Sequence, residues 1–366
     1  MARITLENLK KYYGKVKAVD DLNFEISDKE FVVFLGPSGC GKTTTLRCIA
    51  GLEGVTSGNV LFNGRRVNEL PPADRNIAMV FQFYALYPHL NAYRNIVFPL
   101  KAEKMPGQEI KKKVSWVSEL LKIEGILNRK MSELPDGDKQ KVALARAIVR
   151  NPQVLLLDEP LSALDEKFRE QMRLEFLKIQ KTLSVTTVYV THDQREAMTL
   201  ADRIVIMKDG KIVEAGEPEK LYETPQNLFT GYFIGSPGMN FIDCACGAGG
   251  AAASAGGLPL QLSGALHKKL RDFRVEKFIF GIRPEYLYFR KKAEKSGNGL
   301  PVRLVNVETI QQMRYGNFYI GEKLYKCVVE DGSSADRGKD LSGTEGYAAA
   351  DDGKVRFYDP DSGKIL

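Results

Sequence analysis

The chain has 366 residues, is 43% hydrophobic, and sets 53 basic against 46 acidic side chains for a formal charge of +7. That length and apolar content exclude a disordered chain and favour two domains, while the small, spread-out positive excess forms no stripe or tail of the kind that nucleic acid selects. Five cysteines at irregular spacings (Cys40, Cys48, Cys244, Cys246 and Cys327) exclude a disulfide scaffold and fit a reducing compartment, and no apolar run is long enough for a membrane span or a signal core.

In chain order, alternation predicts strands over residues 3–8 and 22–26, and the apolar run 31–35 reads as a buried strand ending in a glycine-rich turn. Residues 42–50 have helical character and stop at Gly51. Further strands are expected over 58–64 and 76–80. A helical stretch is expected over about 92–126, with Val114, Val117, Leu120, Leu121 and Ile123 roughly on one side.

A second α/β succession follows, with a helix over 139–149, a buried strand over 154–157 capped by Asp158-Glu159, and a charged helix over 165–181. A strand over 186–190 ends at Thr191-His192-Asp193, a short helix runs through Met198, and 203–207 with 211–213 form a hairpin around Asp209-Gly210. This order predicts a mostly parallel core with added antiparallel strands. The Gly/Ala-rich segment 244–258 has little volume to pack and reads as a flexible loop. Beyond it, short strands over 278–282, 302–307, 317–320, 323–329 and 354–358 predict a small β-rich domain.

The strongest chemical signal is Gly36-Pro37-Ser38-Gly39-Cys40-Gly41-Lys42-Thr43, which has the spacing G-x-x-x-x-G-K-T between a strand and a helix. Glycines let backbone N–H groups converge on phosphate oxygens, and the helix N-terminus adds a favourable dipole. Lys42 can reach the β and γ phosphates, and the Thr43 hydroxyl can hold Mg²⁺. Asp158 at the end of an apolar strand suits the magnesium shell, with Glu159 against an attacking water. Gln82 and His192 also follow strands, and a histidine there can contact a γ phosphate or orient the water. Cys244 and Cys246 lack the further thiolate or imidazole partners of a metal site.

Together these elements resemble the ATP-binding cassette family, most closely the ATPase subunits of maltose/trehalose-type carbohydrate importers. The resemblance rests on GPSGCGKTTTLRCIAGLE (36–53), RNIAMVFQFYALYPHL (75–90), KQKVALARAIVRNPQVLLLDEPLSALD (139–165) and YVTHDQREAMTLADRIVIM (189–207). It implies an α/β P-loop NTPase nucleotide-binding domain over 1–235, with a helical subdomain over about 88–150. A small β-rich, OB-like (TOBE) regulatory domain would occupy 236–366, entered through FIGSPGMNF and marked by GIRPEYL.

The resemblance further implies that Tyr13 stacks on adenine and that Gly36 to Thr44 wrap the phosphates, with Thr43, Gln82 and Asp158 serving Mg²⁺. Glu159 would be the general base, His192 the γ-phosphate switch, and Ser162 to Asp165 a loop communicating across a dimer. The implied partners are a second ATPase subunit in a homodimer or heterodimer, two transmembrane permease subunits touching Tyr84 to Leu90, and an external solute-binding protein. That places the chain on the cytoplasmic face of the membrane, with no nucleic acid involved. A soluble cassette ATPase acting on nucleic acid or ribosomes is the rival, but it usually carries two cassettes or long coiled coils.

One motif departs from the family. Where the signature loop LSGGQ meets ATP of the opposite subunit, this chain has Leu134-Pro135-Asp136-Gly137-Asp138. Pro135 removes a hydroxyl and a backbone donor, and two carboxylates stand where phosphate approaches. A hydrogen bond to a charged group contributes about 1.5–3 kcal/mol, and like charges near 4 Å oppose closure by about 4 kcal/mol before screening. The expectation is a subunit that binds MgATP and hydrolyses it weakly, or a regulatory subunit that does not hydrolyse it.

Overall fold

The computed structural model describes residues 2–246, 253–273, 275–292, 299–310, 312–329 and 341–366. The chain divides into two compact units, Met1–Pro218 and Glu219–Leu366. The first opens with β1 (Ile4–Tyr13) and β2 (Val16–Ile26), then β3 (Phe31–Leu35), which leads through the glycine-rich turn into α1 (Lys42–Ala50). After β4 (Ser57–Phe62), β5 (Arg65–Arg66) and β6 (Ile77–Val80) come three helices, α2 (Ala92–Ala102), α3 (Gly107–Leu121) and α4 (Asp136–Ile148). The unit finishes with β7 (Val154–Asp158), α5 (Glu166–Leu183), β8 (Thr186–Thr191), α6 (Gln194–Leu200), β9 (Arg203–Lys208) and β10 (Lys211–Gly216).

Two sheets result, with strand orders β2-β1-β4-β5 and β10-β9-β3-β8-β7-β6. In the second, β9, β3, β8, β7 and β6 run parallel, and β10 closes the edge antiparallel. Every residue of β3, β7 and β8 is buried, which is why their sequences are mainly apolar or β-branched, up to the Asp158 that ends β7. Val32, Phe34, Leu156, Val188 and Val190 share a core with Leu46 and Ile49 of α1; burying each such side chain contributes about 1.5–3 kcal/mol. Helix α1 ends where Gly51, at φ +77°, returns its N–H to the Arg47 and Cys48 carbonyls. The buried Arg75 guanidinium then satisfies the Cys48 and Ile49 carbonyls at 2.9 Å each.

The second unit begins around α7 (Pro218–Glu223) and α8 (Leu228–Phe233), followed by β11 (Asn240–Cys246), β12 (Ala253–Ala255), β13 (Leu258–Leu260) and α9 (Gly264–Phe273). The remaining strands are β14 (Lys277–Ile282), β15 (Leu287–Arg290), β16 (Leu300–Ile310), β17 (Met313–Ile320), β18 (Lys323–Val328), β19 (Glu345–Ala350) and β20 (Arg356–Tyr358). Strands β15-β18-β17-β16-β19 close into a barrel beside the sheet β13-β12-β11-β14-β20. One core of Phe278, Phe280, Leu287, Phe289, Leu304 and Phe318 serves both. Arg283, 2% exposed, donates to the Tyr222 carbonyl at 2.8 and 2.7 Å and to the Ile234 carbonyl at 2.6 Å. Its guanidinium lies 3.7 Å from the Tyr222 ring centroid.

Three expectations need correction. The helical stretch over 92–126 is broken after Ala102 and restarts at Gly107, because Pro106 in an extended conformation precedes α3. The helix expected from residue 139 begins at Asp136, with Pro135 at φ −65° as its N-cap. The Gly/Ala-rich segment is not wholly a loop: Cys244 pairs with Ala255 and Cys246 with Ala253 in an antiparallel ladder, and Gly256-Gly257 turn into β13. Small side chains suit that position because Ala255 is fully buried against the core, so backbone pairing rather than side-chain volume decides the conformation. Residues 247–252 of that segment lie outside the described residues. The β-rich expectation for the C-terminal part stands, although α9 and the alanine-ended β19 escape the sequence patterns.

Candidate functional site

The order β6-β7-β8-β3 places four loops in a row at the C-terminal ends of parallel strands. Gln82 follows β6, Asp158 and Glu159 end β7, His192 follows β8, and residues 36–44 follow β3. The glycine loop is shaped by close approach as much as by flexibility. A Cβ on Gly41, at φ +102°, would stand 2.2 Å from the Ala18 carbonyl oxygen of β2, and one on Gly36 would stand 2.3 Å from that of Met207. Only glycine fits either place. Lys42 is 4% exposed and donates its ammonium to the carbonyls of Gly36 at 2.8 Å and Pro37 at 2.9 Å. Cys40 Sγ lies 3.8 Å from that ammonium, and burial pushes its thiol up in spite of the nearby charge.

Thr43 Oγ1 donates to Asp158 Oδ1 at 2.8 Å. Burial pushes the Asp158 carboxyl above its ordinary range, while this bond and the charges of Arg47 and Lys42 pull the other way. A hydroxyl and a carboxylate side by side are the hard oxygen donors that a magnesium ion takes, and the residues fit it. Among the described residues no group of three or more carboxylate, imidazole or thiol side chains is placed to hold a metal ion by itself. One residue on, Glu159 sits at φ +44°, a left-handed bend held by its N–H bonding the Val190 carbonyl at 3.0 Å. That bend directs its carboxylate to His192, whose Nδ1 lies 3.1 Å from Glu159 Oε2.

The ABC transporter family model matches residues 19–162, and the MalK OB fold domain model matches 235–287. The chain is 44% identical to the trehalose/maltose import ATP-binding protein MalK of Thermococcus litoralis over the whole of both chains. The chain belongs to the ABC transporter ATP-binding proteins. It is also 52% identical, over 79% of each chain, to the oligosaccharides import ATP-binding protein MsmX of Bacillus subtilis. The dimeric structure of MJ0796, a bacterial ABC transporter cassette, matches 59% of this ABC ATPase at 34% identity and a TM-score of 0.54, covering 98% of that chain.

Not every residue singled out in the ABC ATPase sequence converges on this edge. Tyr13 is 46% exposed at the β1–β2 turn, with the Lys11 ammonium 4.7 Å from its ring centroid. Leu134, Pro135, Asp136, Gly137 and Asp138 lie at the start of α4. Among the described residues no hydrogen bond or ion pair joins them to residues 36–44. Asp136 instead pairs with Lys139 at 3.1 Å. A Cβ on Gly137 would come 2.1 Å from the Phe168 ring, so that glycine leaves room for a side chain of α5.

Two arginines that the motifs did not flag organise neighbouring loops. Arg146 donates to the carbonyls of Ala85 at 2.8 Å and Tyr84 at 3.1 Å, and Arg169 donates to those of Leu164 at 2.8 Å and Ser162 at 3.3 Å. Arg169 sits among other charged residues of α5, whereas Arg146 interrupts an apolar run of α4, and neither position has a sequence signal that points to the carbonyls it meets.

Proposed function

We propose that this ABC ATPase hydrolyses ATP to drive import of a carbohydrate or related solute through two transmembrane permease subunits, fed by an external solute-binding protein. It would act as a dimer at the cytoplasmic face of the membrane. Residues 1–235 carry the ATPase, with the helical subdomain 88–150, and residues 236–366 regulate it. The observation that carries the reading is the convergence of Lys42, the Thr43–Asp158 pair and the Glu159–His192 pair on one sheet edge. Relatives named as trehalose/maltose, oligosaccharide and sn-glycerol-3-phosphate importers supply the solute class.

In this reading Lys42 exchanges two carbonyl acceptors for β- and γ-phosphate oxygens, a trade of neutral for charge-assisted bonds. Thr43, Asp158 and Gln82 hold magnesium, which neutralises charge on the phosphates when bound. Glu159 takes the proton from the attacking water. His192 donates Nδ1–H to Glu159, which keeps the imidazole's other nitrogen for the γ phosphate. Tyr13 offers adenine an exposed ring. Purified full chain should bind MgATP, and Lys42→Ala should weaken that binding by about tenfold to a hundredfold. Unchanged affinity in a nucleotide titration would overturn the assignment. Co-purification with two multispanning subunits tests the import role against action on nucleic acid.

A second reading, weak or absent hydrolysis, is favoured by the start of α4. Its N-cap Pro135 offers no side-chain acceptor, and Asp136 and Asp138 occupy the first turn. Carboxylates there already complement the helix dipole, so a phosphate gains less from the same end.

A further inference from the structure

We infer that Arg169 is a positioning residue for ATP hydrolysis, holding the Glu159–His192 pair in register through a closed ring of contacts. The inference rests on the roles proposed above for Glu159 and His192.

The ring can be followed atom by atom. The Glu159 carbonyl accepts from the Ser162 N–H at 3.3 Å and from Ser162 Oγ at 2.9 Å. Ser162 in turn offers its own carbonyl to Arg169 Nη2 at 3.3 Å, while Arg169 Nε holds the Leu164 carbonyl at 2.8 Å. The third guanidinium nitrogen, Nη1, reaches Asp193 Oδ2 at 3.9 Å. Asp193 directly follows His192, and His192 Nδ1 returns to Glu159 Oε2 at 3.1 Å. One planar cation therefore joins the loop after β7 to the loop after β8, a task suited to the fixed fork of guanidinium donors.

The far side of the ring is anchored. Asp193 Oδ1 accepts the N–H groups of Arg195 at 2.7 Å and Glu196 at 3.3 Å, which caps α6 and fixes the carboxylate that Arg169 meets. Thr191 Oγ1 accepts the Asp193 N–H at 3.0 Å and donates to the buried Glu196 at 2.6 Å. A parallel strap, Arg195 Nη1 to Glu166 Oε1 at 3.2 Å, runs between α6 and α5, but it reaches no carbonyl of the 162–164 loop. Arg169 engages both that loop and the histidine segment with a single side chain. Its removal frees the two loops to drift, and a displacement near 1 Å at a reacting pair costs up to about a hundredfold in rate.

The experiment uses the purified full chain and its variants Arg169→Met, Arg169→Lys, Asp193→Asn and Glu159→Gln, measuring MgATP turnover, nucleotide affinity and Tm. Asparagine in place of Asp193 keeps an N-cap acceptor and loses only the charge. Arg169→Met is expected to lower kcat by about tenfold to a hundredfold, with ATP affinity within about twofold because Lys42 and the glycine loop are untouched. Arg169→Lys should recover part of the loss, and Arg169→Met combined with Asp193→Asn should be no slower than Arg169→Met alone. In a ¹⁵N-resolved imidazole spectrum, His192 Nδ1 should lose its hydrogen-bonded signature in Arg169→Met. Unchanged kcat in that variant, or parallel falls in kcat, affinity and Tm, would overturn the positioning role. If Glu159→Gln turned over normally, the underlying assignment would fail and the inference with it. Loss of turnover in Glu159→Gln beside normal Arg169→Met would sink this inference alone.

Discussion

Thr43 Oγ1 donates to Asp158 Oδ1 at 2.8 Å, joining the first turn of α1 to the end of β7. Asp158 is 5% exposed, so a variant without that hydroxyl leaves a buried carboxylate short of a donor. Thr43→Val is expected to lower stability by about 1–3 kcal/mol and to make nucleotide binding insensitive to magnesium. Thermal unfolding and titrations with and without MgCl₂ check both parts, and Thr43→Ser should restore them. A variant that unfolds normally and still responds to magnesium would contradict this account.

The start of α4 sets stability against turnover. Asp136 and Asp138 in its first turn favour the helix by about 0.3–1 kcal/mol each, yet under the proposed function they occupy the end that would face an incoming phosphate. Replacing Pro135 by Ser, Asp136 by Gly and Asp138 by Gln together should raise ATP turnover strongly while lowering Tm slightly. A purified ATPase assay beside a melting curve decides the matter, and turnover no higher than in the parent chain counts against it.

Burial pushes the Glu196 carboxyl above its ordinary value of 4.5, against the hydroxyls of Thr191 at 2.6 Å and Tyr189 at 2.8 Å. A carboxyl raised in this way keeps its proton in the fold over a range where the unfolded chain has released it. The associated stability is full below the unfolded value and is lost as pH rises through the folded one. The Tm of the chain minus that of Glu196→Gln should therefore shrink as pH climbs from 4.5 toward neutrality. A gap that widens over that range would reverse the assigned sign.

Arg283 gathers the Tyr222 and Ile234 carbonyls inside the second unit, and burial lowers its guanidinium below the ordinary arginine range. Arg283→Met leaves both carbonyls without that donor and should destabilise the unit by about 2–6 kcal/mol. Denaturant unfolding followed by the fluorescence of the aromatic residues around Tyr222 gives the measurement. A midpoint shift too small to resolve would show that other donors replace it.

Much of this is legible in the sequence, for identifiable reasons. Buried parallel strands are mostly apolar or β-branched, so β3, β7 and β8 stand out, and each leads into residues with recognisable phosphate or water chemistry, the glycine loop after Leu35, Asp158-Glu159 and His192. The altered loop at 134–138 is visible as a departure, although its contact with Phe168 is not, because that ring arrives from another helix. Arg169 and Arg75 are illegible for a related reason. Each acts on backbone carbonyls, and carbonyls carry no sequence signature. In the second unit, β12 and β19 consist largely of alanine, serine and glycine, so only the strands beside them give them their conformation.

The ladder between β7 and β8 sets Asp158 opposite Val190, and the one between β8 and β3 sets Thr191 opposite Leu35. A slip of one residue would carry a carboxylate about 3.3 Å along the sheet and turn it to the opposite face. Interstrand alignment thus sets where each loop of the candidate site begins, and contacts beyond the strands, such as those of Arg169, hold the loops themselves. A substitution in one loop acts locally, whereas a misaligned strand would disable every loop at once.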